Sequence, residues 1–155
     1  MSSPEQRLAE LGITLPTPAA PVANYVGTVR TGNLLVVSGQ LCFTGDGKLK
    51  ATGKLGSTVS IEDGKAAAQL SAINILAQIR AMVGSLDKVV RVVRLGGFIA
   101  CTPDFTQHPA VMNGASDLIV EVLGDRGRHA RTTIGVPSLP LDSAVEVEAL
   151  IEVEA

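Results

Sequence analysis

The sequence predicts an α+β domain in which two helices lie on one face of a mixed sheet. Three observations carry this. Residues 145–153 alternate strictly: Val145, Val147, Ala149, Ile151 and Val153 share one side, while Glu146, Glu148, Leu150 and Glu152, followed by Glu154, take the other, because strand side chains change sides at every residue. Two stretches, 60–84 and 108–124, carry apolar residues at helical spacing and end on glycine. The order of segments is hairpin, helix, strand, helix and two strands, with no linker or low-complexity run. Helices layered on a sheet bury the apolar sides of both.

At the N-terminus, Ser3-Pro4-Glu5-Gln6 supplies an N-cap, a proline at the first helical position and a capping-box partner. A short helix to Leu11 is expected, stopping at Gly12. Pro16, Pro18 and Pro21 forbid its continuation, so residues 1–20 read as a helix and Pro-rich arm outside the core, and 21–155 as a single domain. Residues 24–30 and 34–38 read as a hairpin around Thr31-Gly32-Asn33, closing at Gly39-Gln40, and Gly45-Asp46-Gly47 turns the chain. Ser60-Ile61-Glu62-Asp63 opens the first long helix, with an expected stripe of Leu70, Ile73, Leu76 or Ala77, and Val83 before Gly84. Residues 87–99 read as a long strand in which Val90, Val92 and Arg94 alternate with Arg91, Val93 and Leu95, and Gly96-Gly97 marks a bulge or a close approach. The second helix starts near His108-Pro109 and runs through Leu118, Ile119 and Val122 to Gly124. Two strands follow, parted by Pro137-Ser138-Leu139-Pro140. The sheet face away from the helices then needs a cover, which a second copy of the chain supplies most simply.

Composition narrows the function. A chain of 155 residues is one domain, able to bury roughly two-thirds of its unfolded surface. With 46% apolar and 18% charged residues, it has apolar surface to spare for association. A formal net charge of -2 gives phosphate backbones no attraction, and one Tyr, three Phe and no Trp offer no platform for stacking bases; nucleic-acid binding is not expected. Cys42 and Cys101 show no CxxC or His/Cys spacing, which leaves disulfide frameworks and metal sites unsupported. No signal sequence opens the chain and no run approaches the ~18 apolar residues that span a bilayer, so the expectation is a soluble cytoplasmic protein without a membrane partner.

Among the candidate residues, Arg131 comes first. At a strand mouth its planar fork suits a small carboxylate; the plainer reading is a surface arginine paired with a glutamate. Glu146 and Glu148 face the same way, and a carboxylate beside a bound water can orient or deprotonate it. The plainer reading there is a ladder that keeps an edge or interface strand soluble. Tyr25, the one tyrosine, either hydrogen-bonds a ligand or caps the rim of the core. Cys42 and Cys101 read as inert buried thiols with no histidine placed beside them. His108 at a helix start and His129 in a polar loop suit capping or exposed roles, and Arg126 and Arg128 read as solvated loop charges. Gly45-Asp46-Gly47 lacks a P-loop lysine and is a turn.

Taken in order, Asn24-Tyr25-Val26-Gly27-Thr28-Val29, Gly32-Asn33-Leu34-Leu35-Val36-Val37-Ser38-Gly39-Gln40, Ala130-Arg131-Thr132-Thr133, Leu139-Pro140 and Val145-Glu146-Val147-Glu148-Ala149 resemble the Rid family of imine deaminases (YjgF-type, formerly "endoribonuclease L-PSP"). The similarity runs from about residue 21 to 155 and takes in Asn74 and Asn113 within the two helices. It implies a chorismate-mutase-like α+β fold and homotrimers whose sheets line a central barrel, with three ligand clefts between neighbouring subunits. In deaminating members the arginine at the Arg131 position grips the substrate carboxylate and the glutamate at the Glu146 position helps hold the attacking water. Tyr25, Ser38 and Asn113 fall at substrate-binding positions, and the backbone around Thr133 contacts the imine end. The implied reaction is metabolite-damage control: hydrolysis of reactive 2-imino acids, formed from enamines that pyridoxal-phosphate dehydratases release, to 2-oxo acids and ammonia, with no metal or organic cofactor. Many members have Pro and Cys where this chain has His129 and Thr133, and residues 124–128 and 1–20 are longer than in compact members; these departures border the cleft and bear on substrate range. Two other functions stay open: a non-catalytic trimer that binds a small carboxylate metabolite, and the ribonuclease of the older family name, which suits the acidic, aromatic-poor composition less well.

Overall fold

The strict alternation over 145–153 becomes the centre of the sheet. In the computed structural model, which describes residues 2–18, 20–21 and 23–155, strand β5 (Val145–Val153) lies between β2 (Leu34–Leu41) and β3 (Val89–Ala100), with β1 (Thr28–Thr31) and β4 (Ala130–Val136) at the edges, giving the order β1-β2-β5-β3-β4. Met1 and Ala19 of the expected arm, and Val22, lie outside the described residues. All pairs are antiparallel except β3 with β4, so the sheet is mixed, as expected. Val145, Val147, Ala149, Ile151 and Val153 are buried and the glutamates face away from them.

Helices α2 (Ile61–Val83) and α3 (His108–Leu123) cover the buried face. Ser60 caps α2 through the Asp63 amide at 3.1 Å, satisfying a donor that the helix itself leaves free. The buried face of α2 matches the expected stripe only in part: Leu76, Ala77 and Val83 are buried as expected. Ala68, Ala72, Ile75, Leu76, Ile79 and Val83 point inward, whereas Leu70 and Ile73 are only half-buried. Close packing selects small residues here: at Gly114 on α3, a Cβ would collide with the Lys65 carbonyl of α2. By length and composition α2 is apolar enough to cross a bilayer, more than the sequence reading allowed, but half of its most apolar window is buried within the domain.

Strand β3 also departs from expectation. Its register against β5 shifts between Val89 and Arg91 and again between Val92 and Arg94, so Val92 and Leu95, three apart, share the core and the simple alternation fails. The bulges thus precede Gly96-Gly97, which instead serve close packing: a side chain at Gly97 would strike Met112 of α3. At the N-terminus, α1 (Pro4–Glu10) has both halves of its capping box and docks through Glu5 to Arg80, at 3.1 Å, and Arg7 to the Glu121 carbonyl, at 3.0 Å. Leu8 and Leu15 are buried with the main core, so the segment expected outside the core contributes to it.

The face opposite the helices is open. Register aligns Val29, Val36, Leu150 and Arg94 in one row across four strands, with Val29 52% and Val36 46% exposed. Glu148 and Glu152 on this face pair with Arg94 and Arg91, at 3.8 and 3.5 Å.

Candidate functional site

Arg131 is the second residue of edge strand β4. Its register with Leu95, a core residue, turns its side chain to the helix-covered side, where α3 passes. There Nη1 donates to Asn113 Oδ1 at 2.8 Å and to Ser116 Oγ at 3.1 Å. Among the described residues no carboxylate lies within 4 Å of it, so the expected pairing of a surface arginine with a glutamate is not what the fold builds. The guanidinium is held from one side by neutral groups and faces a hollow of about 290 Å³ lined also by Asp117, Arg128 and His129. A half-buried cation without a counter-ion is an anion-binding group, since an opposite charge recovers the desolvation it has already undergone.

The positioning of Arg131 runs back to His129. Its Nδ1 is 2.6 Å from the Gly127 carbonyl and its Nε2 is 2.9 Å from Ser116 Oγ. A carbonyl only accepts, so Nδ1 carries the proton; in the neutral ring Nε2 then accepts from the Ser116 hydroxyl, whose oxygen is left to accept from Arg131. His129 is therefore built into the site rather than exposed, and only its place before Ala130-Arg131 hinted at this. Two residues past Arg131 on the same face, Thr133 keeps its Oγ1 enclosed with no hydrogen-bond partner among the described residues. Such a hydroxyl is destabilising unless a ligand or a neighbouring chain satisfies it.

The other candidates gather elsewhere. Glu146 pairs in register with Leu41 and Phe98 on the open face, and its carboxylate overhangs the β2 bulge so closely that a side chain at Gly39 would collide with it. Beside it, Ser38 donates its hydroxyl to the Val26 carbonyl at 2.6 Å and its amide to the Gly27 carbonyl at 2.9 Å. These bonds tie the segment carrying Tyr25, 59% exposed, against β2. Residues 24–27 lie outside β1, so the first strand is shorter than the sequence suggested.

One chain thus holds two groups that do not meet. Arg131, Asn113 and Thr133 lie on the β4 edge on the helix side; Glu146, Ser38 and Tyr25 lie toward the β1–β2 edge, with Glu146 on the open face. From β2 to β4 are three inter-strand steps, or about 14 Å at the usual spacing. Asn74 of α2 has a scaffolding part, donating to the Leu41 and Phe43 carbonyls at 3.1 and 3.0 Å. Cys42 is buried without an imidazole beside it, whereas Cys101, expected to stand alone, has His108 Nε2 at 3.4 Å.

Glu146 differs from its neighbours on β5. No cation lies within 4 Å of it among the described residues, and burial, followed by the charge of Glu148, raises its carboxyl above the ordinary range. A carboxyl raised on folding stabilises the fold at acid pH, and that contribution is lost as pH climbs through the raised value. Glu146→Gln should therefore be more stable than the parent at neutral pH, with the difference closing below about pH 4, where carboxyls are protonated in the unfolded chain too. Urea midpoints across pH at fixed protein concentration test this; equal pH dependence in both chains would count against it.

The topology and the paired helices define an α+β subunit of the chorismate-mutase-like kind. The chain belongs to that family: residues 5–153 match the family model described as "YjgF/chorismate mutase-like, putative endoribonuclease". It is 48% identical over 146 residues to Protein TCP17 of Trypanosoma cruzi, covering 94% of this chain and 91% of that protein. Among solved structures it is similar to Atu1372 of Agrobacterium tumefaciens, a protein of unknown function (47% identity, TM-score 0.92, 97% of this chain and 92% of the other). It is also similar to a Shewanella oneidensis protein described as a putative endoribonuclease (35% identity, TM-score 0.94, 98% and 100%).

Proposed function

We propose that the protein is a hydrolytic deaminase of reactive 2-imino and enamine acids, yielding 2-oxo acids and ammonia, and that it works as a homotrimer. The observation that carries this reading is Arg131, a half-buried guanidinium held by Asn113 and Ser116 with no carboxylate partner among the described residues. In the proposed reaction Arg131 fixes the substrate carboxylate, which places the imine carbon along β4 near Thr133. Glu146, which its raised carboxyl makes a stronger base when ionised, holds a water and in that form takes its proton as the oxygen adds to the C=N carbon. That proton passes to the imine nitrogen, and Glu146 then carries the remaining hydroxyl proton to the same nitrogen as the C–N bond breaks, so both protons of the water leave on ammonia and its oxygen stays as the 2-oxo group. Tyr25 and Ser38 line the remaining wall. The step needs no metal or organic cofactor.

The separation of the two groups supports a site shared between copies. An edge such as β4 meeting the β1–β2 edge of a neighbour is a heterologous contact, which closes into a ring when its rotation allows. Three copies would turn their open faces inward as a barrel. Such a ring would also cover Val29, Val36 and Ile134, all exposed in the single chain.

The test is release of 2-oxobutanoate from imines generated in situ, measured against semicarbazide trapping. Wild type should outpace buffer, and no acceleration would end the proposal. A binding-only role draws support from the same separation, because the arginine group is complete on one chain without Glu146. It predicts Arg131-dependent binding of 2-oxobutanoate by titration calorimetry with no turnover.

A further inference from the structure

We propose that the hollow where β3 and β4 end is a covalent docking site for small soft electrophiles, conjugated carbonyl compounds with an apolar body, with Cys101 as nucleophile and His108 as its base. Cys101 directly follows β3 and His108 opens α3, and the loop between them folds back so that Sγ and Nε2 stand 3.4 Å apart. Two features hold the pair. Phe105 meets the His108 ring edge-on, with centroids 5.3 Å apart and planes at 74°, fixing the imidazole. On the facing strand, any side chain at Gly135 would come within 2.6 Å of both Cys101 Sγ and His108 Nε2, so the glycine leaves the room they occupy.

The pair opens onto a cavity of about 610 Å³ walled by Pro103, Phe105, Val136 and Pro137, with Lys54 on its lining. That volume suits a small molecule, and walls of proline, valine and phenylalanine suit an apolar body. The cavity shares no lining residue with the hollow at Arg131, and it is independent of the deaminase reading. Burial pushes the Cys101 thiol up, so it rests as a neutral thiol and needs a base at the moment of attack, which His108 supplies.

The step balances without an oxidant. Sγ bonds to the β-carbon of the C=C bond, whose π pair moves onto the carbonyl oxygen as an enolate; Lys54, paired with Asp142 at 3.7 Å, is the cation on the same lining. The thiol proton passes to His108 Nε2 and returns to the α-carbon, so S–H has added across the double bond. Cys42 provides an internal control: it is fully buried, its Sγ faces Ser143 Oγ at 3.2 Å, and it has no base.

N-ethylmaleimide is the probe, followed by intact mass over time and peptide mapping on the folded protein. The expected result is one adduct per chain, at Cys101, formed at the wild-type rate in Cys42→Ser and absent in Cys101→Ser. In His108→Gln, checked as folded by circular dichroism, it should form on the order of a hundredfold more slowly. No adduct on the folded chain, modification of both cysteines at one rate, or a His108→Gln rate equal to wild type would overturn the proposal.

Discussion

Replacing Arg131 with alanine is expected to lower kcat/KM for imine hydrolysis by about two to four orders of magnitude. Two charge-assisted hydrogen bonds to a carboxylate contribute about 1.5–3 kcal/mol each, and each ~1.4 kcal/mol is a tenfold change in rate. The fold should tolerate the change. The partners left behind, Asn113 Oδ1 and Ser116 Oγ, belong to residues that solvent reaches, and water can replace the lost bond. Arg131→Lys keeps the charge but not the planar fork, so it should fall between the two. The semicarbazide competition assay reads all three proteins; an alanine variant as fast as wild type would remove Arg131 from the mechanism.

The largest effect on stability is expected at the helix crossing. Gly114→Ala should destabilise the protein, because the new Cβ meets the Lys65 carbonyl, part of a helix backbone that cannot swing aside as a side chain can. Overpacking of this kind costs about 1–3 kcal/mol, against roughly 1 kcal/mol gained from replacing glycine inside a helix. The net is a melting temperature lower by several degrees. Gly45→Ala is the control, since nothing lies within 4 Å of its added Cβ and its φ is not positive. Thermal unfolding of both variants decides; an unchanged Gly114→Ala would show that α2 and α3 separate without strain.

Much of the fold was legible because its signals are local. Glycine at 84 and 124, the Ser3 and Ser60 caps and the alternation over 145–153 each act within a few residues. What escaped depends on partners distant in sequence. The inward face of α2 keeps Leu76, Ala77 and Val83 of the expected stripe, but the close approach of α3 selects alanines at 68 and 72 over Leu70 and Ile73. The core spacing in β3 is set by bulges against β5. At the site, the residue types at 131 and 146 could be picked out in sequence, but their placement on an edge strand and on the central strand, on opposite sides of the sheet, could not, because it depends on strand order. His129 was missed because its two hydrogen bonds reach across to α3 and back to Gly127, and the Cys101–His108 pair because it depends on how one loop folds.

The central claim is that the arginine group of one chain and the glutamate group of another make one active site. Mixing tests it most directly: Arg131→Ala and Glu146→Gln chains, each inactive alone, are unfolded together in equal amounts and refolded. If sites are shared head-to-tail around a ring, about a quarter of them regain both an intact Arg131 and an intact Glu146 by random assembly. Activity should return to about that fraction of wild type. A mixture no more active than its separate components would contradict the account and return both residues to a site within a single chain.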